Sequence, residues 1–164
     1  MKTNLLRSLL PLALVFTMLS CSSDATEDVP VDTTLINDYN YNSDEIALAK
    51  VINDYRVSIG LNELEIVNHL SYKSEEHNEY MIVNKVVNHD YFHERSSNIR
   101  AVLGAEKVNE NVAFNFDTAE GAMSAWLNSP GHKANIESDS TRFGMSVTID
   151  PDTGRKFYTN IFIK

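Results

Sequence analysis

Three residues combine types and surroundings that can do chemistry. They are His89, in Asn88-His89-Asp90-Tyr91-Phe92; Glu110, in Glu110-Asn111-Val112-Ala113; and His132, in the run Trp126 to Ile136. Two neutral imidazoles and one carboxylate can hold a divalent metal, zinc above all, with water as the fourth ligand. A site of that kind lowers the pKa of the bound water and directs it at an amide or ester. Without metal, Glu110 can fix the tautomer of one histidine and leave its other nitrogen as a general base. A third reading makes the same residues a hydrogen-bonded network that shapes a cleft wall and does no chemistry. The chain has no Gly-x-Ser-x-Gly elbow and no His-Glu-x-x-His pair. That argues against an elbow serine nucleophile and against a zinc-protease helix.

The elements that must position these residues occupy the C-terminal three-quarters of the chain. Residues 1–21 read as a signal peptide. Lys2 and Arg7 precede a stretch, Leu9 to Leu19, that is apolar apart from Pro11 and Thr17. Such a stretch is too short to span a bilayer and suits a signal-peptide core. It closes on Met18-Leu19-Ser20-Cys21, which resembles a bacterial lipobox, with Met18 unusual at its position. Lipidation at Cys21 is therefore expected, with ordinary secretion as the alternative. Cys21 is the single cysteine, so neither an internal disulfide nor a cysteine-based zinc site is available. Residues 22–42 read as an acidic flexible linker with little to bury. Asp24, Glu27 and Asp28 resemble a lipoprotein surface-export signal, and a plain solvated tether explains them equally well. The formal charge is −9, and loss of Lys2 and Arg7 makes it two units more negative. An acidic surface without a basic run excludes nucleic acid as the main partner and disfavours docking on anionic lipid.

Residues 43–164 have the length of one domain. Ser43 caps a first helix whose Leu48, Ile52, Tyr55 and Ile59 recur at helical spacing up to Gly60. A second helix is predicted from about Val67 to Val86. Its Leu70, Ser74, His77 and Met81 share a stripe, which makes His77 a hydrogen-bonded core histidine rather than a site residue. After His89 the chain reads as irregular through Ser97, with a short helix from Asn98 to Leu103. Val112, Phe114 and Phe116 alternate as a strand. Asp117 or Thr118 caps a helix from Ala119 to Asn128, broken at Pro130-Gly131, and a further helical turn follows. Phe143–Ile149 and Phe157–Ile163 form a hairpin about the turn Pro151-Asp152-Thr153-Gly154. The second hairpin strand is apolar on both faces, so it belongs in a sheet covered on two sides. The expected fold class is α+β, a three-layer α-β-α sandwich with the C-terminal β-hairpin in the central sheet.

With these elements placed, the chain resembles the CAP superfamily: the SCP domain of cysteine-rich secretory proteins, antigen 5 and pathogenesis-related proteins, with a bacterial branch. Glu110-Asn111-Val112-Ala113 is similar to its Glu-Asn-hydrophobic-Ala motif. Trp126 to Ile136 is similar to the bacterial Trp-x-Asn-Ser-x-Gly-His-x-x-Asn-Ile motif, and Phe143-Gly144 and the last strand to the closing hairpin. The family is known for a cleft of two histidines and two acids that in some members binds a divalent metal. The resemblance carries this onto His89, Glu110 and His132. Asn88-His89-Asp90-x-Phe92 with Arg95 favours His89 over the nearby His93 as the first histidine. The second acid is missing, because Asn128, Ser129 and Pro130 occupy its stretch. That weighs against tight metal binding and a shared hydrolytic mechanism. Arg95, Asn111, Trp126 and Asn135 are expected to support the cleft: Arg95 by pairing an acid, the asparagines by bonding backbone, Trp126 by packing in the core. Gly131 and Gly144 are expected to meet backbone requirements.

The resemblance implies an exported protein, either a lipoprotein at the outer membrane or cell surface or a secreted one. Its cleft would take a small ligand, a glycan or a protein partner from the envelope or beyond. A metal-assisted extracellular hydrolase or protease is the alternative, and a surface protein with a vestigial cleft a third reading.

Overall fold

The computed structural model describes residues 32–164. The signal peptide, Cys21 and the first part of the expected linker lie outside the described residues. Five helices and four strands follow in order: α1 (Ser43–Ser58), β1 (Glu65–Ile66), α2 (Asn68–Asn84), α3 (Phe92–Leu103), β2 (Val108–Phe114), α4 (Ala119–Leu127), α5 (Pro130–Ile136), β3 (Arg142–Ile149) and β4 (Lys156–Ile163). The strands form one sheet in the order β1-β3-β4-β2. β1 runs parallel to β3, and the other pairs are antiparallel. α1, α4 and α5 pack on one face with β3 residues Phe143, Met145 and Val147 and β4 residues Tyr158 and Phe162. On the other face, Leu70 of α2 and Ile99 of α3 meet Val108, Ile161 and Ile163, while Met81 meets Val112 and Phe157. This is the expected three-layer α-β-α sandwich, and β4 is buried on both faces as its pattern requires.

The N-cap of α1 is Asn42 rather than Ser43. Its side chain accepts from the Glu45 amide while the Glu45 carboxylate accepts from the Asn42 amide, a reciprocal capping box. Glu45 is itself buried, and one of its oxygens also accepts from the Val147 amide at 3.0 Å. One end of α1 is thereby tied to β3.

Three further local expectations are corrected. α3 begins at Phe92, so the stretch read as irregular is helical. Its inward face is built from Arg95, Ser96, Asn98 and Ile99, and a polar inward face hides the apolar period by which helices are read. β2 starts at Val108 and leaves out Phe116. Gly131 has no positive φ and open space where a Cβ would sit, so nothing at that position requires glycine. Gly144 does require it: a Cβ there would lie 2.4 Å from Leu70 Cβ and 2.4 Å from the Ser71 amide nitrogen. The absence of a side chain lets α2 lie directly on β3.

Residues 32–42, the last part of the expected linker, carry no helix or strand yet lie against the domain. The Ile36 amide donates to His69 Nδ1 at 3.3 Å, Asn98 Nδ2 donates to the Asp32 carbonyl, and Tyr41 Oη donates to Asn68 Oδ1 at 2.9 Å. His69 Nε2 and Asn98 Oδ1 are 2.8 Å apart. Because Nδ1 accepts from a backbone amide, Nε2 carries the proton and donates to Asn98. His69 thus holds this segment in its neutral form.

Candidate functional site

β2 is an edge strand, and alternation along it turns Glu110 toward α2 and α3 and Asn111 toward α5. Glu110 is almost fully covered. A bare carboxylate in that position would be costly, and both of its oxygens are engaged. Arg95 Nε donates to Oε2 at 2.9 Å and Arg95 Nη2 to Oε1 at 2.8 Å, a two-pronged ion pair. His89 Nδ1 lies 2.8 Å from Oε1. A carboxylate only accepts, so His89 carries a proton on Nδ1, and its Nε2 makes no hydrogen bond among the described residues. The His89 side chain is 49% exposed.

His132 comes from the opposite layer. Its backbone carbonyl accepts from Asn111 Nδ2 at 3.0 Å. Asn135 Nδ2 donates to Asn111 Oδ1 at 2.8 Å and to the Glu110 carbonyl at 3.2 Å. Trp126, buried in the core, donates from Nε1 to the Val112 carbonyl at 2.9 Å. Outward carbonyls of an edge strand are thus covered by side chains of α4 and α5. The two imidazoles meet across this edge with ring centroids 6.5 Å apart. Burial, with a smaller contribution from His89, holds the His132 imidazole below its ordinary pKa, which favours its neutral form. A recess of about 290 Å³ lies beside the pair, lined by His89, Phe92, Val108, Asn109, Glu110 and Asn135. A separate recess of about 380 Å³ sits at the other end of β2, around Phe114, Phe157, Ile82 and Val86.

The structure therefore brings together His89, Glu110, His132, Arg95, Asn111, Asn135 and Trp126. His93 does not join them: it is exposed on α3, and its backbone carbonyl accepts from Ser96 Oγ. Two features escaped the sequence. His77 is a core histidine, as expected, but its Nε2 also lies 3.9 Å from Glu110 Oε1. Tyr80 and Asp90 are joined through Tyr80 Oη and Asp90 Oδ2 at 2.9 Å. The one available signal was that His77 and Tyr80 lie one helical turn apart, just before His89 in the chain.

The expected zinc set is not assembled. Among the described residues no group of three or more His, Cys, Asp and Glu side chains is placed to hold a metal ion. Glu110 is committed to Arg95 and His89, so the residues do not fit a site in which it serves as a ligand. What the arrangement offers is a half-exposed imidazole oriented by a carboxylate, beside a second imidazole that burial biases toward its neutral form.

Comparisons with known proteins agree with the fold. The sequence model of the cysteine-rich secretory protein family, CAP, matches residues 49–162. An outer surface protein from Borrelia burgdorferi superposes with a TM-score of 0.68 at 23% identity, covering 77% of this chain and 96% of that one. An extracellular protein containing a SCP domain from Bacillus anthracis str. Ames gives 0.65 at 26% identity, covering 74% of this chain and 40% of its own. A cysteine-rich secretory protein from Staphylococcus aureus gives 0.59 at 23% identity, covering 73% and 38%. A stretch of 60 residues is 42% identical to YlbC of Bacillus subtilis, described as an uncharacterized membrane protein; the match spans 36% of this chain and 16% of YlbC.

Proposed function

This chain belongs to the cysteine-rich secretory protein (CAP) family, and from that premise we propose that it works outside the cytoplasm as a ligand-binding domain. Its contact surface is the His89–His132 pair. The observation that carries this reading is the commitment of both Glu110 oxygens to Arg95 and His89. Glu110 serves as the buried support of His89, not as a free base or a metal ligand. The Nε2 of half-exposed His89 is left to accept a hydrogen bond from a ligand, which suits a hydroxyl-rich ligand such as an envelope glycan, or a donor group on a protein. An outer-surface protein and an extracellular protein among the similar structures support export. Anchoring through a lipid on Cys21 completes the proposal. Replacing Cys21 by Ser should release the protein from membranes, and unchanged fractionation would refute the anchor.

Binding is tested by following the histidine imidazole NMR signals during titration with glycan fragments and peptides from the envelope. A ligand that perturbs His89 and His132, and loses at least tenfold in affinity in His89→Ala, supports the proposal. Uptake that leaves both imidazoles untouched overturns it.

One observation favours an enzymatic second reading. A carboxylate-oriented imidazole with a free nitrogen is also the arrangement of a general base. Turnover of peptide and ester libraries that disappears in His89→Ala would establish it. Calorimetry with zinc, calcium and magnesium on wild type and His132→Ala tests the metal form of that reading. Uptake indifferent to the substitution would remove it.

A further inference from the structure

His89 is half exposed, and its ring makes one side-chain hydrogen bond, to Glu110. An exposed ring holds a fixed angle only if the backbone beneath it is held. The residues on either side of His89 are gripped from two helices. His77 Nε2 bonds the Asn88 carbonyl at 2.9 Å, Tyr80 Oη donates to Asp90 Oδ2 at 2.9 Å, and Arg95 Nη1 donates to the Asp90 carbonyl at 2.7 Å. The loop also closes on itself, with Asn88 Nδ2 donating to Asp90 Oδ2 at 2.7 Å and the Asp90 amide to Asn88 Oδ1 at 3.1 Å.

His77 is the buried member of this grip. Its side chain is 0% exposed and its ring lies parallel to that of Tyr80, with centroids 5.9 Å apart. The Asn88 carbonyl can only accept, so His77 carries its proton on Nε2. Nδ1 is buried with no partner among the described residues. An imidazole so placed loses hydration at one nitrogen, a cost that an apolar ring of similar size would avoid. What the imidazole supplies and an apolar ring lacks is the N–H aimed at Asn88.

We propose that His77, assisted by Tyr80, is a positioning residue for the cleft: it holds the Asn88–Asp90 loop so that the His89 Nδ1–H meets Glu110. His77 acts through His89 and does not touch the ligand. The inference rests on His89 being the contact group of the proposed binding site. Its test uses no ligand, so failed positioning and failed binding are read separately.

The test is imidazole nitrogen and proton NMR of the full domain. Wild type should show His89 as a single Nδ1–H tautomer with a downfield hydrogen-bonded proton. His77→Phe keeps the ring and loses the donor. It should lose that proton signal, with the Nε2–H form of His89 appearing. His77→Gln, which retains an N–H donor, should restore much of the wild-type signal. Tyr80→Phe, which loses only the hydroxyl, should weaken it. A wild-type His89 signature in folded His77→Phe, or in Tyr80→Phe should the first variant not fold, overturns the proposal.

Discussion

Glu110 and Asn111, neighbours on β2, face opposite sides of the sheet, and each secures one of the two cleft histidines. Glu110 accepts from His89 in the α2–α3 layer, and Asn111 donates to the backbone of His132 in the α5 layer. The two-residue period of an edge strand thereby joins two layers at one rim. The cleft depends on this strand keeping its register with β4, where Glu110 pairs with Ile161 and Asn111 with Asn160.

Arg95 and Glu110 should be strongly coupled. Both are nearly buried, so removing one strands the charge of the other. Glu110→Leu should cost about 3 kcal/mol in urea unfolding. The double variant Arg95→Met/Glu110→Leu should cost less than Glu110→Leu alone. Strictly additive losses would show that the pair is not coupled.

Gly144 and Gly131 should separate cleanly. Gly144→Ala drives a Cβ into the α2 backbone and should destabilise by about 3 kcal/mol or prevent folding. Gly131→Ala lies in the first turn of α5 with open space around it. It should be neutral or stabilising by about 0.5 kcal/mol. Thermal melts of the two variants check the contrast, and equal losses would contradict the packing described.

Acid should weaken the fold through its histidines. Burial is the main cause that lowers the pKa of His69, His77 and His132. A base whose folded pKa is depressed binds fewer protons folded than unfolded in this window. Its contribution to stability is full above the ordinary value near 6.5 and is lost as pH falls through the folded value. Around His69, Asn98, Glu76 and Asp32 oppose the shift and Lys73 adds to it. Denaturation midpoints should fall between pH 7 and 5. The fall should be shallower in His69→Gln, and a slope identical to wild type would exclude His69.

The segment ahead of α1 should respond to the same histidine. The Ile36 amide, bonded to His69 Nδ1, should exchange slowly with deuterium in wild type. It should exchange at least tenfold faster in His69→Ala and in Asn98→Ala, with α1 amides unchanged. Fast exchange of Ile36 in wild type would contradict the contact.

Most of the fold was legible because its elements carry local signals. The Thr118 cap of α4, the Pro151–Gly154 turn and the two-sided apolar pattern of β4 each state their structure within a few residues. α3 was not legible from Phe92 because Arg95 and Asn98 are buried by partners far along the chain, Glu110 and His69. β1 was missed because two residues become a strand only by pairing with Arg142 and Phe143. At the site, residue identities were readable, but the division of labour was not. The zinc set counted Glu110 as a free ligand, whereas Arg95 and His89 occupy both its oxygens. His77 read as plain core because its stripe gives no sign of the Asn88 carbonyl at its tip.

The clasp of His69 and Asn98 on residues 32–36 also sets a length scale. For a protein fixed to a membrane at Cys21, a chain free up to Ser43 could reach about 75 Å from its attachment point. With the clasp closed at Asp32, the same chain reaches no more than about 40 Å. The side chains of His69 and Asn98 would then set the shorter limit. Asn68 and Glu45 would still hold Asn37, Tyr39 and Tyr41 once those two let go, and acid that charges His69 would lengthen the leash by the few residues between.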